Sequence, residues 1–180
     1  LSAPLRQPLE LVIAHIRVLR WTAAVLAITL AVLHSVLLLA WILGNAAMTP
    51  PARIAIVLSV LGLILLGAAL LMRRACTATT LPMAARAMEH AAPELEERLT
   101  SAYELSAEPH PDFRGSPDLL ARLNDEAATQ AHAIDPGAVV SGRTVLTLLA
   151  LLAPVLLAWI AALIIAPHAL GRGLRQTLFP

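Results

Sequence analysis

The sequence contains no lysine, a single cysteine and few aromatic residues. Its 13 basic residues are all arginine, and 12 acidic residues leave a net charge of +1. Nucleic-acid-binding proteins concentrate basic residues in a strongly charged patch, so this balance argues against that class. Cys76 stands alone, which rules out an intramolecular disulfide and most thiolate metal sites. Aromatic residues make up only 3% of the chain, so its apolar character comes from leucine, alanine, isoleucine and valine.

Apolar residues are in excess, at 58% of the chain against about 45–50% in soluble domains. Three stretches contain no Asp, Glu or Arg and are long enough to cross a membrane: residues 21–43, 54–72 and 144–166. At 1.5 Å per residue, about 20 helical residues cross a hydrocarbon core. The first stretch is too long for the apolar core of a signal peptide, and no small-residue cleavage site follows it. We therefore predict an all-α integral membrane protein with three transmembrane helices.

Arginines near the ends of these stretches predict the orientation. Seven of those near the spans lie in the N-terminal segment 1–20 and the middle segment 73–143, against three in the first loop and the tail 167–180. The seven are Arg6, Arg17, Arg20, Arg73, Arg74, Arg86 and Arg143. Cytoplasmic segments carry the excess of basic residues, so the N-terminus and the middle segment are predicted to be cytoplasmic and the tail extracytoplasmic. The expected location is the inner (cytoplasmic) membrane of a bacterium.

The cytoplasmic segments are predicted to be helical. Residues 1–20 carry apolar residues at helical spacing after Pro8, which indicates an amphipathic helix leading into the first span. In the middle segment, Pro82 favours a helix start and Pro93 an interruption. A second helix is expected from Pro93, with Glu94 and Arg98 paired at i,i+4 and Glu96 and Glu97 also in its first turn. A third is expected from Pro117, with Ser116 as its N-cap.

The middle segment 73–143 is thus predicted to form a cytoplasmic helical hairpin, and two narrow apolar stripes run along it. The first contains Leu95, Leu99, Ala102 and Leu105, and the second contains Leu120, Leu123, Ala127, Ala131 and Ile134. Because the stripes are narrow and rich in alanine, the hairpin cannot bury much surface by itself. We expect it to pack on another chain or on the membrane ends of the spans, and we expect the leucines and Ile134 to contact a cytoplasmic protein partner.

Three motifs in the middle segment resemble a known arrangement. They are A-R-x-x-E-x-x-x-P-E-L-x-x-R-L-x-S-A-x-E-L from Ala85, S-P-x-L-L from Ser116 and I-D-P-x-x-V-V from Ile134. They resemble the N-terminal region of an uncharacterised family of large bacterial multi-span proteins. In that family two spans, a cytoplasmic helical insert and a third span precede extracytoplasmic β-domains. The resemblance implies the same order of helices here and supplies no catalytic residue.

His34 lies in the middle of the first predicted span, where an ionisable residue is a functional hypothesis by default. One interpretation is a neutral imidazole that hydrogen-bonds to a neighbouring helix. The surrounding stretch also resembles a light-harvesting antenna helix, in which a mid-span histidine holds the magnesium of a bacteriochlorophyll. The second interpretation therefore makes His34 a ligand of bacteriochlorophyll or haem. Ser35 cannot be its partner, since positions i and i+1 do not share a helix face.

Small residues on two spans predict helix–helix interfaces, because small side chains let backbones approach closely in lipid. On the second span they are Ala55, Ser59, Gly62 and Gly67, and on the third they are Ala150, Pro154, Ala158 and Ala162. The alternative is that abundant alanine produces the pattern by composition alone. The histidines outside the spans match no metal-binding motif, so no metal site is predicted.

These features together predict a non-catalytic anchor, accessory or scaffold subunit of a larger bacterial inner-membrane complex. The expected partners are membrane lipids, other integral membrane subunits and a cytoplasmic protein, with no nucleic acid and no resident cofactor. The alternative is a pigment- or haem-associated subunit of a photosynthetic or other energy-converting complex, with His34 as ligand. A transporter or a membrane enzyme is disfavoured because the spans contain no carboxylate, no arginine and one histidine.

Overall fold

The structure, a computed structural model, describes residues 3–45, 48–110 and 115–178. These residues are helical and contain no β-strand, which confirms the all-α prediction. The helices are α1 (Ala3–Asn45), α2 (Pro50–Ala75), α3 (Leu81–Ala91), α4 (Arg98–Ala107), α5 (Pro117–His132), α6 (Pro136–Val139), α7 (Arg143–Ile165) and α8 (Pro167–Leu178), with a 3-10 turn at Pro93–Leu95. Three of them, α1, α2 and α7, are long and apolar enough to cross a membrane.

The chain divides into two compact units. The helical unit comprises residues 1–19 and 77–142, and the span unit comprises residues 20–76 and 143–180. Helix α1 contributes residues to both, because the segment before the first span continues into that span as one helix.

The helical unit has a core of its own. On α1, Leu5, Leu9, Val12 and Ile16 share one helix face and are at most 7% exposed. They form a single apolar cluster with Met88 of α3 and with the buried residues of the stripes, Leu95, Leu99, Ala102, Ala127 and Ala131. Burying a side chain of this size contributes about 1.5–3 kcal/mol. The prediction that another chain or the span ends cover these stripes is wrong for their buried residues, because the beginning of α1 packs in the same cluster.

The start of α4 also differs from the prediction. Glu96 and Glu97 adopt left-handed backbone conformations with φ of 48° and 61°, so α4 begins only at Arg98. The two glutamates therefore do not lie in its first helical turn. Arg98 pairs with Glu96 at 3.3 Å and with Glu126 of α5 at 3.7 Å, and not with Glu94 as predicted. The left-handed pair changes the chain direction, which removes the i,i+4 geometry that the predicted pair requires.

A carboxylate from α3 caps the start of α4. The N-cap residue of α4 provides no side-chain hydrogen bond. Instead, the carboxylate of Glu89 accepts hydrogen bonds from the backbone N–H of Thr100 at 2.7 Å and from the Thr100 hydroxyl. This N–H is one of the first four in a helix, which have no acceptor within the helix, and negative charge is favourable there. Glu89 thus joins α3 to α4.

In the span unit, α1 is the most enclosed of the three long helices. In the most apolar stretch of 18 residues of α1, 17% of the residues are buried, whereas the corresponding stretches of α2 and α7 contain no buried residue. Helix α7 turns one face inward, and the partly buried residues on that face recur every three or four positions: Val145, Leu148, Leu152, Val155 and Trp159. The indole N–H of Trp159 donates a hydrogen bond to the backbone carbonyl of Leu33 at 3.2 Å, which joins α7 to α1.

Helix α8 was not predicted, since sequence analysis treated residues 167–180 as a tail. It lies against the end of α1 with the two backbones in close approach. A Cβ on Gly44 would lie 2.5 Å from the carbonyl oxygen of Ala169, and a Cβ on Gly173 would overlap the backbone of Ala40. The two small residues are four positions apart in each helix, which is the spacing that allows close helix crossings in membranes.

Candidate functional site

His34 lines a cavity of about 390 Å³ between α1 and the α7–α8 segment. The remaining lining is mainly apolar and consists of Leu37, Leu38, Trp41, Asn45, Ala162, Ala166, Ala169 and Leu170. The amide of Asn45 donates a hydrogen bond to the carbonyl of Trp41 at 2.8 Å, which uses one of its two N–H groups. Among the lining residues, His34 carries the imidazole that could ligate a metal.

The imidazole of His34 is exposed and has no hydrogen bond to any residue that the structure describes. The bond from His34 to another span of this chain, which the first interpretation requires, is thus not found among those residues. The indole N–H of Trp159 makes such a bond between helices, and its acceptor is the carbonyl of Leu33, the residue before His34 in α1. Ser35 lines a different cavity, of about 350 Å³, between α1 and α2.

The predicted interface on α2 is mostly exposed. Ala55, Ser59 and Gly62 are exposed, while Gly67 is partly buried and lines the cavity between α1 and α2. The hydroxyl of Ser59 donates to the carbonyl of Ala55 at 2.7 Å, so its hydrogen bond is made within the helix. A Cβ on Gly62 would meet no atom within 4 Å. Apart from Gly67, this face is therefore open within the part of the chain that the structure describes.

The residues of the predicted interface on α7 differ in their exposure. Ala150, Pro154 and Ala158 are exposed, whereas Ala162 is partly buried and lines the cavity of His34. Pro154 has no N–H, so the carbonyl of Ala150 lacks its usual donor one turn later. The three exposed positions lie away from the inward face that carries Trp159.

The residues predicted to contact a cytoplasmic partner take part in the core of the helical unit to different degrees. Leu95 and Leu99 are at most 1% exposed and belong to the buried cluster. The partly buried members of the set are Leu105, Leu120, Leu123 and Ile134. A partner can reach only these four without opening the core, so contact with a partner through them stays a prediction.

A polar groove of about 820 Å³ lies between α3 and α4 in the helical unit. Its charged lining includes Arg86 and Glu104, which pair across it at 3.9 Å, and the carboxylate of Glu89. Within residues 3–45, 48–110 and 115–178, no group of three His, Cys, Asp or Glu side chains is placed to hold a metal ion. The Nδ1 atom of His132 lies 2.8 Å from the carbonyl oxygen of Ala128, a contact within α5.

Comparisons with family models, curated proteins and solved structures find no match to this chain. The resemblance drawn from the three motifs of the middle segment therefore stays a prediction.

Sequence reasoning missed two features of the span unit. The first is the interhelical bond of Trp159, for which a tryptophan in the body of an apolar span was the available signal, because a buried indole N–H needs an acceptor. The second is the close approach of Gly44 and Gly173. The available signal was two pairs of small residues at a spacing of four, Ala40 and Gly44 on α1 and Ala169 and Gly173 on α8, outside the two helices for which small-residue interfaces were predicted.

Proposed function

We propose that this chain is an integral membrane protein that acts as a non-catalytic anchor or scaffold subunit of a larger membrane complex. Helices α1, α2 and α7 would cross the bilayer, with the N-terminus and the helical unit on the cytoplasmic side of a bacterial inner membrane. Insertion is supported by large apolar side chains on the surface, such as Leu63 at 69% and Ile165 at 81% exposed. Contiguous apolar surface of this kind is unfavourable in water and is typical of a membrane or protein interface.

The observation that carries the subunit role is the exposed side of α7. Ala150, Pro154 and Ala158 present small side chains there, and no described helix of this chain packs on them. A helix that faced only lipid would gain nothing from small residues, whereas a neighbouring helix can approach a small-residue surface closely. The unpaired carbonyl that Pro154 leaves on Ala150 would also gain a donor from a neighbour.

A site-specific crosslinking experiment tests this role. A photoreactive amino acid is introduced at position 158, or at Ile160 as a control that is 52% exposed and lies on another side of α7. Crosslinking is carried out in membranes of the cells that make the protein, and the adducts are identified by mass spectrometry. We expect a discrete protein adduct from position 158 and only lipid adducts from position 160. Lipid adducts alone from both positions would refute the subunit role.

A second candidate function is ligation of a pigment or haem by His34. It is favoured by an imidazole without a hydrogen-bond partner among the described residues, in a cavity with an apolar lining. Imidazole is a suitable axial ligand, and an apolar wall suits a macrocycle. At about 390 Å³ the cavity is near the lower limit of ligand sites, about 300–1,000 Å³, so a macrocycle would extend onto the exposed faces of α1 and α7.

The absorption spectrum of the detergent-purified protein separates the two functions. The subunit role alone predicts only the tryptophan and tyrosine absorption of the polypeptide. Ligation predicts an additional visible band that is lost in His34→Leu and retained in the matched variant Ser35→Ala, since Ser35 faces the other cavity. A colourless protein from its native host would eliminate the second candidate.

A further inference from the structure

Helix α8 presents a basic face. His168, Arg172 and Arg175 are spaced at i, i+4 and i+7, so they share one side of the helix, and all three are exposed. The opposite side holds Leu170, which is 6% exposed, and Gly173, which contacts the end of α1. The packed side holds α8 in place, and the basic side remains open.

The span unit provides no negative charge to neutralise this face. All 12 acidic residues of the chain lie in residues 1–19 and 77–142, and none lies in residues 20–76 or 143–180. Neither Arg172 nor Arg175 forms a salt bridge or hydrogen bond with a residue that the structure describes. Both guanidinium groups are therefore open to an anionic group from outside the unit.

The position of α8 along the chain indicates the source of that charge. A single residue, Ala166, separates it from α7. The last residues of α7 are highly exposed and apolar, with Ile164 at 74% and Ile165 at 81%. If α7 crosses the membrane as proposed, a basic helix that starts directly after it lies at the level of lipid headgroups, where arginine can bind phosphate through two parallel hydrogen bonds.

We propose that the exposed basic face of α8 binds the phosphate groups of anionic phospholipids. The guanidinium groups of Arg172 and Arg175 supply the main contacts, and His168 lies on the same face. Basic residues near an anionic lipid surface each contribute to binding, and together the two arginines favour an anionic lipid roughly 30-fold over a zwitterionic one. The inference rests on the membrane insertion in the proposed function, but it does not depend on the identity of any protein partner.

Lipid binding by the purified full-length protein tests this inference. Dansyl-labelled phosphatidylglycerol or phosphatidylcholine is titrated into the protein in a non-ionic detergent, and binding is followed by energy transfer from the chain's tryptophans. We expect phosphatidylglycerol to bind roughly 30-fold more tightly than phosphatidylcholine, and R172Q/R175Q to remove this preference. The single variants R172Q and R175Q should each lose about fivefold, and R172K/R175K should retain most of the preference.

The variant R6Q/R122Q is the matched control, since it removes two exposed charges from the helical unit, one on α1 and one on α5. It should bind phosphatidylglycerol as the unmodified protein does, and added inorganic phosphate should not displace the lipid. Four results would each overturn the assignment: equal binding of both lipids, an unchanged preference in R172Q/R175Q, loss of the preference in R6Q/R122Q, or full displacement by inorganic phosphate. Resistance of the protein to alkaline extraction from membranes tests insertion separately, so failure of the proposed function is distinguishable from failure of this inference.

Discussion

The contact between α1 and α8 predicts a clear response to the substitution Gly173→Ala. A Cβ at this position would lie 2.6 Å from the carbonyl carbon and 2.8 Å from the Cα of Ala40. Carbon atoms in contact are about 3.5–4.0 Å apart, so the helices must separate by about 1 Å. No flexible side chain can absorb the added methyl group, because the atoms it meets belong to the backbone.

The magnitude follows from two opposing terms. Forcing a methylene-sized group into a packed contact costs about 1–3 kcal/mol, while replacing glycine by alanine in a helix contributes about 1 kcal/mol. Gly62→Ala is the matched control, since it has the same propensity term and its Cβ would meet no atom within 4 Å. The difference between the two variants therefore isolates the cost of the close approach.

Thermal unfolding of the detergent-purified variants measures this difference. For chains of 150–250 residues a change of 1 kcal/mol shifts Tm by about 2–4 °C. We expect Gly173→Ala to unfold at least about 3 °C below Gly62→Ala. Gly44→Ala should shift Tm in the same direction, because its Cβ would lie 2.5 Å from the carbonyl oxygen of Ala169. Equal Tm values for Gly173→Ala and Gly62→Ala would refute the close packing of α8 on α1.

Three further substitutions test other contacts. If α7 contacts a neighbouring subunit as proposed, Ala158→Leu should reduce co-purification of that subunit, because the larger side chain separates the helices, whereas Leu157→Ala should leave it unchanged. Equal recovery of the subunit with both variants would show that the small residues arise from the abundance of alanine alone. Glu89→Ala should lower the free energy of unfolding by about 1–2 kcal/mol, the usual cost of a lost cap, and Glu94→Ala by less than about 0.5 kcal/mol, so equal losses would contradict the capping role. Trp159→Phe should cost about 0.6 kcal/mol, typical of one interhelical hydrogen bond in a membrane, and an unchanged Tm would argue against that bond.

The long helices were predictable because a helix that can span a membrane has a long, uncharged apolar sequence. An uncharged apolar run of about 20 residues has few alternatives to a spanning or buried helix. The buried stripes of α4 and α5 were predictable for a similar reason, since helical periodicity places Leu99 and Ala127 on the inward faces. Both are fully buried, but in a core shared with α1, and not against another chain or the span ends as expected.

What covers those stripes was not predictable in the same way. The spacing of Leu9, Val12 and Ile16 indicates an apolar face on α1, but periodicity does not show which surface that face meets. The structure pairs it with residues more than 60 positions away, in α3 to α5. The left-handed turn at Glu96 and Glu97 contains no glycine or asparagine, so the usual sequence signal for that conformation was missing.

Helix α8 was missed because its sequence carries weak helix signals. It is too short and too polar to read as a span, and it contains Gly171 and Gly173, which disfavour a helix by about 1 kcal/mol each. Its stability comes from the contact with α1, which only Gly173 permits at this distance. At the candidate site, the sequence identified His34 because a histidine is unusual within an apolar span. The cavity beside it was not predictable, because its lining depends on how α7 and α8 pack on α1.

The membrane topology is the most direct test of the proposed anchor role, because that role requires three crossings with the helical unit on one side of the membrane and α8 on the other. Green fluorescent protein or alkaline phosphatase is fused after Gly115 or after Pro180, and fluorescence and phosphatase activity are measured in intact bacterial cells. The account predicts fluorescence without phosphatase activity after Gly115 and phosphatase activity without fluorescence after Pro180. The same signal at both positions would show that α7 does not cross, and reversed signals would place the helical unit outside the cell; either result would contradict the account.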